Sequence, residues 1–135
     1  MTYVSMFGAM NNAGSGLVVT RKWLDAVSDN ISNINNVSAM SDKAFQARYI
    51  VAQANQYGQA GGVYVAANRW GNPEGRVIDM TGHPLADAQG RVRVPDIDLA
   101  QQMTELMVAQ RAYQANLSVV ERSKQTYEAA IGIGK

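Results

Sequence analysis

Residues 3–34 read YVSMFGAMNNAGSGLVVTRKWLDAVSDNISNI, and apolar side chains recur along this stretch every three or four residues. The recurring positions are Tyr3, Met6, Met10, Ala13, Leu17, Thr20, Leu24, Val27, Ile31 and Ile34. Alternating steps of three and four over several heptads are typical of a helix that lies against other helices. At 1.5 Å per residue such a helix is about 45 Å long, which is long for so small a protein.

A second stretch with the same period lies near the other end of the chain. Its positions are Leu99, Met103, Leu106, Gln110, Tyr113, Leu117, Val120, Lys124, Tyr127 and Ile131. Asp98, followed three residues later by Gln101, resembles a capping box, with Asp96 as a competing cap. Gly132 and Gly134 are stop signals. The two seams can face each other, so the sequence predicts an antiparallel or splayed pair of terminal helices.

The segment between the helices predicts a small β-rich region. Aromatic and β-branched residues favour strands at 45–52, 63–67, 76–79 and 90–94, and glycine or proline turns separate them. Four asparagines within 28–38 end the first helix. The predicted fold class is α+β, with long N- and C-terminal helices forming a coiled-coil-like core around this insert. The predicted divisions are 1–38, an N-terminal assembly helix with an Asn-rich turn; 39–95, the insert; and 96–135, a C-terminal helix that forms one structural unit with 1–38.

Two features of the helices leave alternatives open. Gly8, Gly14 and Gly16 interrupt the first helix and indicate either a frayed start or a close approach of a second helix. Further apolar residues lie off the main seams, and either the insert or additional neighbours cover them. These off-seam residues are Val18, Val19, Trp23, Met107, Val108, Ala112 and Val119.

Composition excludes several classes of site. The chain has no cysteine, so disulfides and thiolate zinc sites are excluded. Its single histidine, His83, lies between Gly82 and Pro84 and is best explained as a turn residue. Helix capping explains Asp96 and Asp98 better than cation binding does. With a net charge of +1, no basic patch and no phosphate-binding glycine loop, we expect no enzymatic activity, cofactor, metal or nucleic acid.

The termini carry no conventional targeting signal. The N-terminus lacks an early basic residue, and no segment approaches the roughly 18 apolar residues needed to span a bilayer. We therefore expect a cytosolic protein, or one exported without a cleavable signal peptide.

Three motifs resemble those of the flagellar rod and hook proteins. The sequence NISN at 30–33 is similar to their Asn-Leu-Ala-Asn signature, and RAYQAN at 111–116 resembles their R-x-Y-Q-A-N signature. Between them, GHPLAD at 82–87, GRV at 90–92 and PDID at 95–98 are similar to the G-x-P-x-A-D, G-x-V and P-N-V-D block of the proximal-rod family FlgC. Ser32, Asn36, Arg91 and Asp96 depart from the pattern.

The resemblance implies a structural subunit of the bacterial flagellar basal-body proximal rod. Such subunits are exported by the flagellar type III apparatus and polymerise helically in the periplasm into a torque-transmitting drive shaft. The implied partners are copies of the chain, rod proteins of the FlgB, FlgF and FlgG types, a FliE-type adaptor, and the export apparatus or MS ring. No direct membrane span is implied. An alternative that shares the heptads is a cytosolic coiled-coil adaptor or chaperone, and His83 with nearby carboxylates motivates a peptidoglycan hydrolase as a third.

Two sets of candidate site residues follow from the seams and the motifs. The candidate assembly interface comprises Met6, Met10, Leu17, Leu24, Val27, Ile31, Asn30, Asn33, Leu106, Tyr113, Gln114, Asn116, Leu117, Val120 and Tyr127. The candidate insert motif comprises Gly82, Pro84, Ala86, Asp87, Gly90, Pro95 and Asp98.

Overall fold

The computed structural model describes residues 6–56 and 61–134 and contains two long helices with four strands between them. In chain order the elements are α1 (Met6–Ser32), β1 (Arg48–Ala54), β2 (Val63–Trp70), β3 (Arg76–Asp79), β4 (Arg91–Val94) and α2 (Leu99–Ile133). The predicted α+β class is confirmed. The predicted seam position Tyr3 lies outside the described residues.

The two helices pack side by side and run antiparallel. Near the start of α1 the ring of Phe7 meets the ring of Tyr127 edge to face, with centroids 5.5 Å apart. Near the end of α1 the carboxamide of Asn30 meets that of Gln102, close to the start of α2. Contacts at both ends show that the pair extends over most of α1.

The face that α2 turns towards α1 contains only part of the predicted seam: Leu106, Tyr113 and Val120 are half-buried, and Tyr127 contacts Phe7. Gln102 and Ala109 are fully buried, whereas Leu99, Met103 and Leu117 of the seam are exposed. The small side chain of Ala109 allows the helices to approach closely, and Gln102 finds a polar partner on α1. Buried amides and small residues therefore decide which face of α2 is turned inward.

Local hydrogen bonds explain where the helices end and begin. The backbone N–H and the Nδ2 of Asn33 both donate to the carbonyl of Asp29, which closes the last turn of α1. Asp98 caps α2 by accepting from the backbone N–H groups of Ala100 and Gln101, at 2.8 and 3.2 Å. The predicted cap is thus Asp98, although Gln101 bonds to a later residue of its own helix and does not complete a capping box.

Strands β1 and β2 form an antiparallel hairpin that lies on α1. The first strand starts at Arg48, later than predicted, and the second continues to Trp70. A bulge at Val51/Ala52 interrupts the ladder. Ile50 and Ala52 line an apolar groove together with two residues of α1, Val19 and Trp23. The insert therefore covers part of the apolar surface that lies off the seams.

The other off-seam residues differ in exposure. Ala112 is half-buried, while Val18, Met107, Val108 and Val119 remain exposed. The insert covers the side of α1 that faces β1, and it leaves most of the off-seam apolar surface of α2 in solvent.

Strands β3 and β4 form a second antiparallel hairpin with its own small core. The core consists of Ala44, Ala47, Val92, Val94, Pro95 and Ile97. Arg93 connects this hairpin to the segment after α1, because its backbone exchanges two hydrogen bonds of 2.9 Å with Ser38. Its guanidinium donates to the carbonyl of Met40 and pairs with Glu74. The insert thus folds back onto the chain that leads into it.

Candidate assembly interface

The residues of the candidate interface differ widely in exposure. Val27 and Asn30 are buried inside the chain, and Gln114, Leu117 and Tyr127 are exposed. The half-buried members are Met10, Leu17, Leu24, Ile31, Asn33, Leu106, Tyr113, Asn116 and Val120. The side chain of Met6 lies outside the described residues. The exposed members are those with surface to offer a neighbour in this conformation.

The first asparagine of the NISN motif lies at a junction of three elements. Asn30 is 0% exposed. Its Oδ1 accepts from the backbone N–H of Arg48 at 2.8 Å, and its Nδ2 donates to the carbonyl of Arg48 at 3.0 Å. The same Nδ2 donates to Oε1 of Gln102, also at 3.0 Å. One carboxamide therefore joins α1, the start of β1 and the first turns of α2.

Charged groups surround this junction on the solvent side. The guanidinium of Arg48 forms an ion pair of 2.8 Å with the carboxylate of Asp29. Because Asp29 is largely exposed, the pair contributes little stability by itself. Its geometry nevertheless holds the side chain of Arg48 along α1, next to the point where Asn30 holds its backbone.

A second close contact between the helices lies two heptads from the first. Gly16 is buried, and a Cβ at this position would lie 2.7 Å from Nδ2 of Asn116. A side chain of any size would displace the carboxamide of Asn116. At Gly14, by contrast, a Cβ would have no neighbour within 4 Å. Of the two readings of the glycines, close helix approach therefore applies to Gly16, and Gly14 requires a different explanation.

An apolar stripe runs along the exposed side of α2. We define the outer stripe as Leu99, Met103, Met107, Gln110, Gln114 and Leu117, which follow one another at steps of three or four residues. Leu99, Met103 and Met107 are 46%, 51% and 53% exposed, and Leu117 is 38% exposed. Such spacing places the six side chains on one face of the helix. Apolar groups aligned in this way are typical of a surface that binds another protein.

The insert motif performs local structural tasks. Oδ1 of Asp87 accepts from the backbone N–H groups of Arg91 and Gln89, at 2.8 and 3.0 Å. Its Oδ2 pairs with the guanidinium of Arg91 at 3.0 Å. The backbone N–H of Arg91 and, to a lesser extent, its side chain hold the pKa of Asp87 below the ordinary value of 3.8. Asp87 therefore fixes the loop that leads into β4.

The remaining members of the motif shape the same region. Gly82 and Gly90 have φ angles of 87° and 75°, in the left-handed region that favours glycine. Pro95 is fully buried, Asp98 caps α2, Pro84 is exposed and Ala86 is half-buried. The block from 82 to 98 thus builds a loop, a strand and the start of a helix.

The described residues contain no arrangement typical of a metal site. No group of three or more His, Cys, Asp or Glu side chains within 6–56 and 61–134 is placed to hold an ion. Nδ1 of His83 accepts from the backbone N–H of Leu85 at 3.1 Å, as expected for a turn residue. In the same part of the chain, neither helix is long and apolar enough to cross a membrane.

Comparison with known proteins identifies the family. Residues 88–133, which include β4 and α2, match the family model described as flagellar basal body rod FlgEFG protein C-terminal. The chain is 31% identical to the flagellar basal-body rod protein FlgC of Salmonella typhimurium, over 98% of this chain and 100% of that protein. The chain belongs to the FlgC family of flagellar basal-body rod proteins. Other relatives of the same name are those of Yersinia enterocolitica, 32% identical over 98% of this chain and 100% of that protein, and Bacillus subtilis, 25% identical with the same coverage.

Sequence reasoning missed two residues that organise this member of the FlgC family. Gln102 is 1% exposed although its residue type favours a surface. Gln102 lies seven residues before Ala109 and fourteen before Asn116, so all three occupy the same heptad position. This spacing was the available signal that the three side chains lie on one face of α2. Ser15 was the other: its Oγ accepts from the backbone N–H of Val63 at 3.0 Å and so attaches β2 to α1.

Proposed function

We propose that the chain is a structural subunit of the flagellar basal-body rod and that neighbouring subunits cover the outer stripe of α2 in that assembly. The observation that carries the proposal is the family membership, which extends over nearly the whole chain. A rod subunit of this family is located in the flagellar basal body, within the periplasm. Export through the flagellar type III apparatus without a cleaved signal peptide is part of the proposal.

The outer stripe supports the second half of the proposal. Four of its six residues are Leu or Met, and each is at least 38% exposed. Burying apolar surface contributes about 25 cal/mol per Å², so covering this stripe would be a substantial driving force for association. In a rod, repeated contacts between different faces of the subunits build a helical filament.

The division of the chain fits the same role. The proposed assembly unit comprises 1–38 and 96–135, and 39–95 is the proposed insert. The exposed end of α2 extends the assembly surface, because nearly every residue from 121 to 134 is exposed. The proposed neighbours are further copies of the chain, rod proteins of the FlgB, FlgF and FlgG types, a FliE-type adaptor and the export apparatus or MS ring.

Cell fractionation tests the function. In a motile strain whose only copy of the gene carries a small epitope tag, we expect the tagged chain to co-purify with flagellar basal bodies. Recovery of the whole population in the cytosol, with normal motility, would contradict a rod subunit and would favour the adaptor or chaperone alternative.

A matched pair of substitutions tests the surface. Leu117→Asp places a charge in the outer stripe and should abolish incorporation into basal bodies. Ser118→Asp adds the same charge to the adjacent exposed residue, which is turned about 100° around the helix, and should be incorporated. Equal incorporation of the two variants, at equal steady-state levels of protein, would contradict the assignment of the stripe.

A further inference from the structure

Two close contacts between α1 and α2 share one register of the helix pair. Asn30 meets Gln102 with 3.0 Å between Nδ2 and Oε1, and Gly16 lies against the carboxamide of Asn116. The two contacts are fourteen residues apart on both helices, which is two heptads. Midway between them, Trp23 on α1 corresponds to Ala109 on α2. The pair therefore has a single register over this whole length.

The apolar pattern alone does not select that register. Both helices repeat their apolar positions at alternating steps of three and four, which restores the same phase every seven residues. A shift of one heptad, about 10 Å along the axis, again brings apolar positions opposite apolar positions. Specific side-chain contacts, and not the apolar period, must therefore exclude the shifted registers.

Asn30 distinguishes the registers. After a shift of one heptad in one direction it would correspond to Ala109, and in the other direction to Pro95, which precedes α2. Neither side chain offers an acceptor to the amide. The two hydrogen bonds to Arg48 would remain, but one buried N–H of Asn30 and the side-chain carbonyl of Gln102 would lose each other as partners. A buried polar group without a partner carries a desolvation cost that the observed register avoids. Single buried polar residues of this kind are known to fix the register of helix pairs.

The missing side chain of Gly16 also disfavours the shifted registers. In the shifted pairings Asn116 would correspond to Trp23 or Ala9 and would no longer face a residue that lacks a side chain. In the observed register the carboxamide occupies the space that a Cβ at Gly16 would take. Polarity at one contact and volume at the other thus favour the same pairing.

We propose that the Asn30 carboxamide is a register lock that restricts α1 and α2 to one axial pairing. The lock is fixed relative to the insert, because the same carboxamide binds both the backbone N–H and the backbone carbonyl of Arg48. Each subunit therefore presents its helix pair and its insert in one fixed relation. The proposal concerns the isolated chain and does not rest on the proposed function.

Distance measurements between spin labels test the lock. The chain has no cysteine, so Asp25→Cys on α1 and Gln125→Cys on α2, both exposed positions, give two specific attachment sites. The labelled chain should show one distance population by double electron–electron resonance. With Asn30→Leu and Gln102→Leu added, we expect a second population, displaced by up to about 10 Å, while the helical circular dichroism signal is retained. A single unshifted population would overturn the proposal.

Two further variants keep the test decisive. If the double variant loses its helical signal, Gln102→Leu alone decides: it leaves both bonds to Arg48 in place and should also produce a second population. An unshifted single population in that variant overturns the lock. Val27→Ala is the control, because it removes buried methyl groups of α1 without touching a polar contact. Val27→Ala should retain one distance population. A second population in this variant would mean that apolar packing, and not the Asn30 carboxamide, fixes the register, and it would overturn the proposal.

Discussion

The carboxamide of Asn116 occupies the space beside Gly16 in which a methyl group would otherwise lie. A Cβ at Gly16 would stand 2.7 Å from Nδ2 and 2.8 Å from Oδ1 of Asn116, closer than carbon atoms normally approach such groups. Two residues earlier, a Cβ at Gly14 would meet nothing within 4 Å. Two glycines of one helix, separated by half a turn, are thus in opposite environments.

The first prediction compares alanine at these two positions. Alanine favours a helix over glycine by about 1 kcal/mol, so Gly14→Ala should raise the free energy of unfolding by up to that amount. Gly16→Ala gains the same helix propensity but must displace the side chain of Asn116. We therefore expect its free energy of unfolding to be about 1 kcal/mol or more below that of Gly14→Ala. Urea denaturation followed by circular dichroism measures both.

A double-mutant cycle identifies the cause of that difference. If Asn116 is the obstacle, Asn116→Ala should remove most of the penalty of Gly16→Ala and leave the effect of Gly14→Ala unchanged. Additive effects of Gly16→Ala and Asn116→Ala would mean that the two residues do not interact in the native state.

The second prediction concerns two glycines of the insert that share a backbone conformation. Gly75 and Gly82 have φ angles of 58° and 87°, so alanine at either position is strained by about 1–2 kcal/mol. A Cβ at Gly75 would also lie 2.2 Å from the carbonyl oxygen of Val94, whereas at Gly82 it would meet open space. Gly75→Ala should therefore be destabilised by at least about 2 kcal/mol more than Gly82→Ala. Equal losses of stability in thermal unfolding would contradict the packing of β3 against β4.

The third prediction concerns the start of α2. Asp98 accepts two backbone hydrogen bonds, and its replacement by alanine should cost about 0.5–2 kcal/mol. Asp96→Ala is the control. Its carboxylate is exposed and 4.0 Å from Arg76, so its removal should change the free energy of unfolding by less than about 0.5 kcal/mol. A larger loss for Asp96→Ala than for Asp98→Ala would show that Asp96 is the cap.

The fourth prediction concerns pH. Because folding lowers the pKa of Asp87 below 3.8, its carboxylate stabilises the native state above that pH, and the contribution is lost as the pH falls through the folded-state pKa. Asp87→Asn removes the ionisable group and weakens the contact with Arg91. The variant should have a lower urea midpoint than the parent at neutral pH, and the difference should shrink on acidification below 3.8. A difference that stays constant down to pH 2 would contradict the role of the charge.

Element type could be predicted from sequence because it depends on local pattern. The heptads predicted both helices, Asp98 and Gly134 predicted the limits of α2, and Arg76–Asp79 was predicted with its observed bounds. The predicted stop at Gly132 is wrong, because α2 continues through it to Ile133. Strand β1 was misplaced by three residues at its start, because Phe45 favours a strand by type. In the structure the ladder begins at Arg48, whose backbone is held by Asn30.

The orientation of α2 could be predicted only in part from its apolar seam. Leucine and methionine define the seam by hydrophobicity, yet the inward face contains Gln102, Ala109 and Asn116. Their selection depends on partners that are distant in sequence: the carboxamide of Asn30 for Gln102, and the missing side chain of Gly16 for Asn116. The spacing of Gln102, Ala109 and Asn116 marks a common face, but the pattern of apolar residues does not show that this face is the inward one, and its burial leaves the outer stripe exposed.

Oxidative footprinting of Met103 and Met107 shows directly whether the outer stripe is an assembly surface. Both side chains are about half exposed in the isolated subunit, and hydroxyl radicals oxidise exposed methionines in proportion to access. We expect mass spectrometry to find both residues oxidised readily in the purified chain and protected several-fold in isolated basal bodies at the same radical dose. Equal oxidation of Met103 and Met107 in the two samples would contradict it.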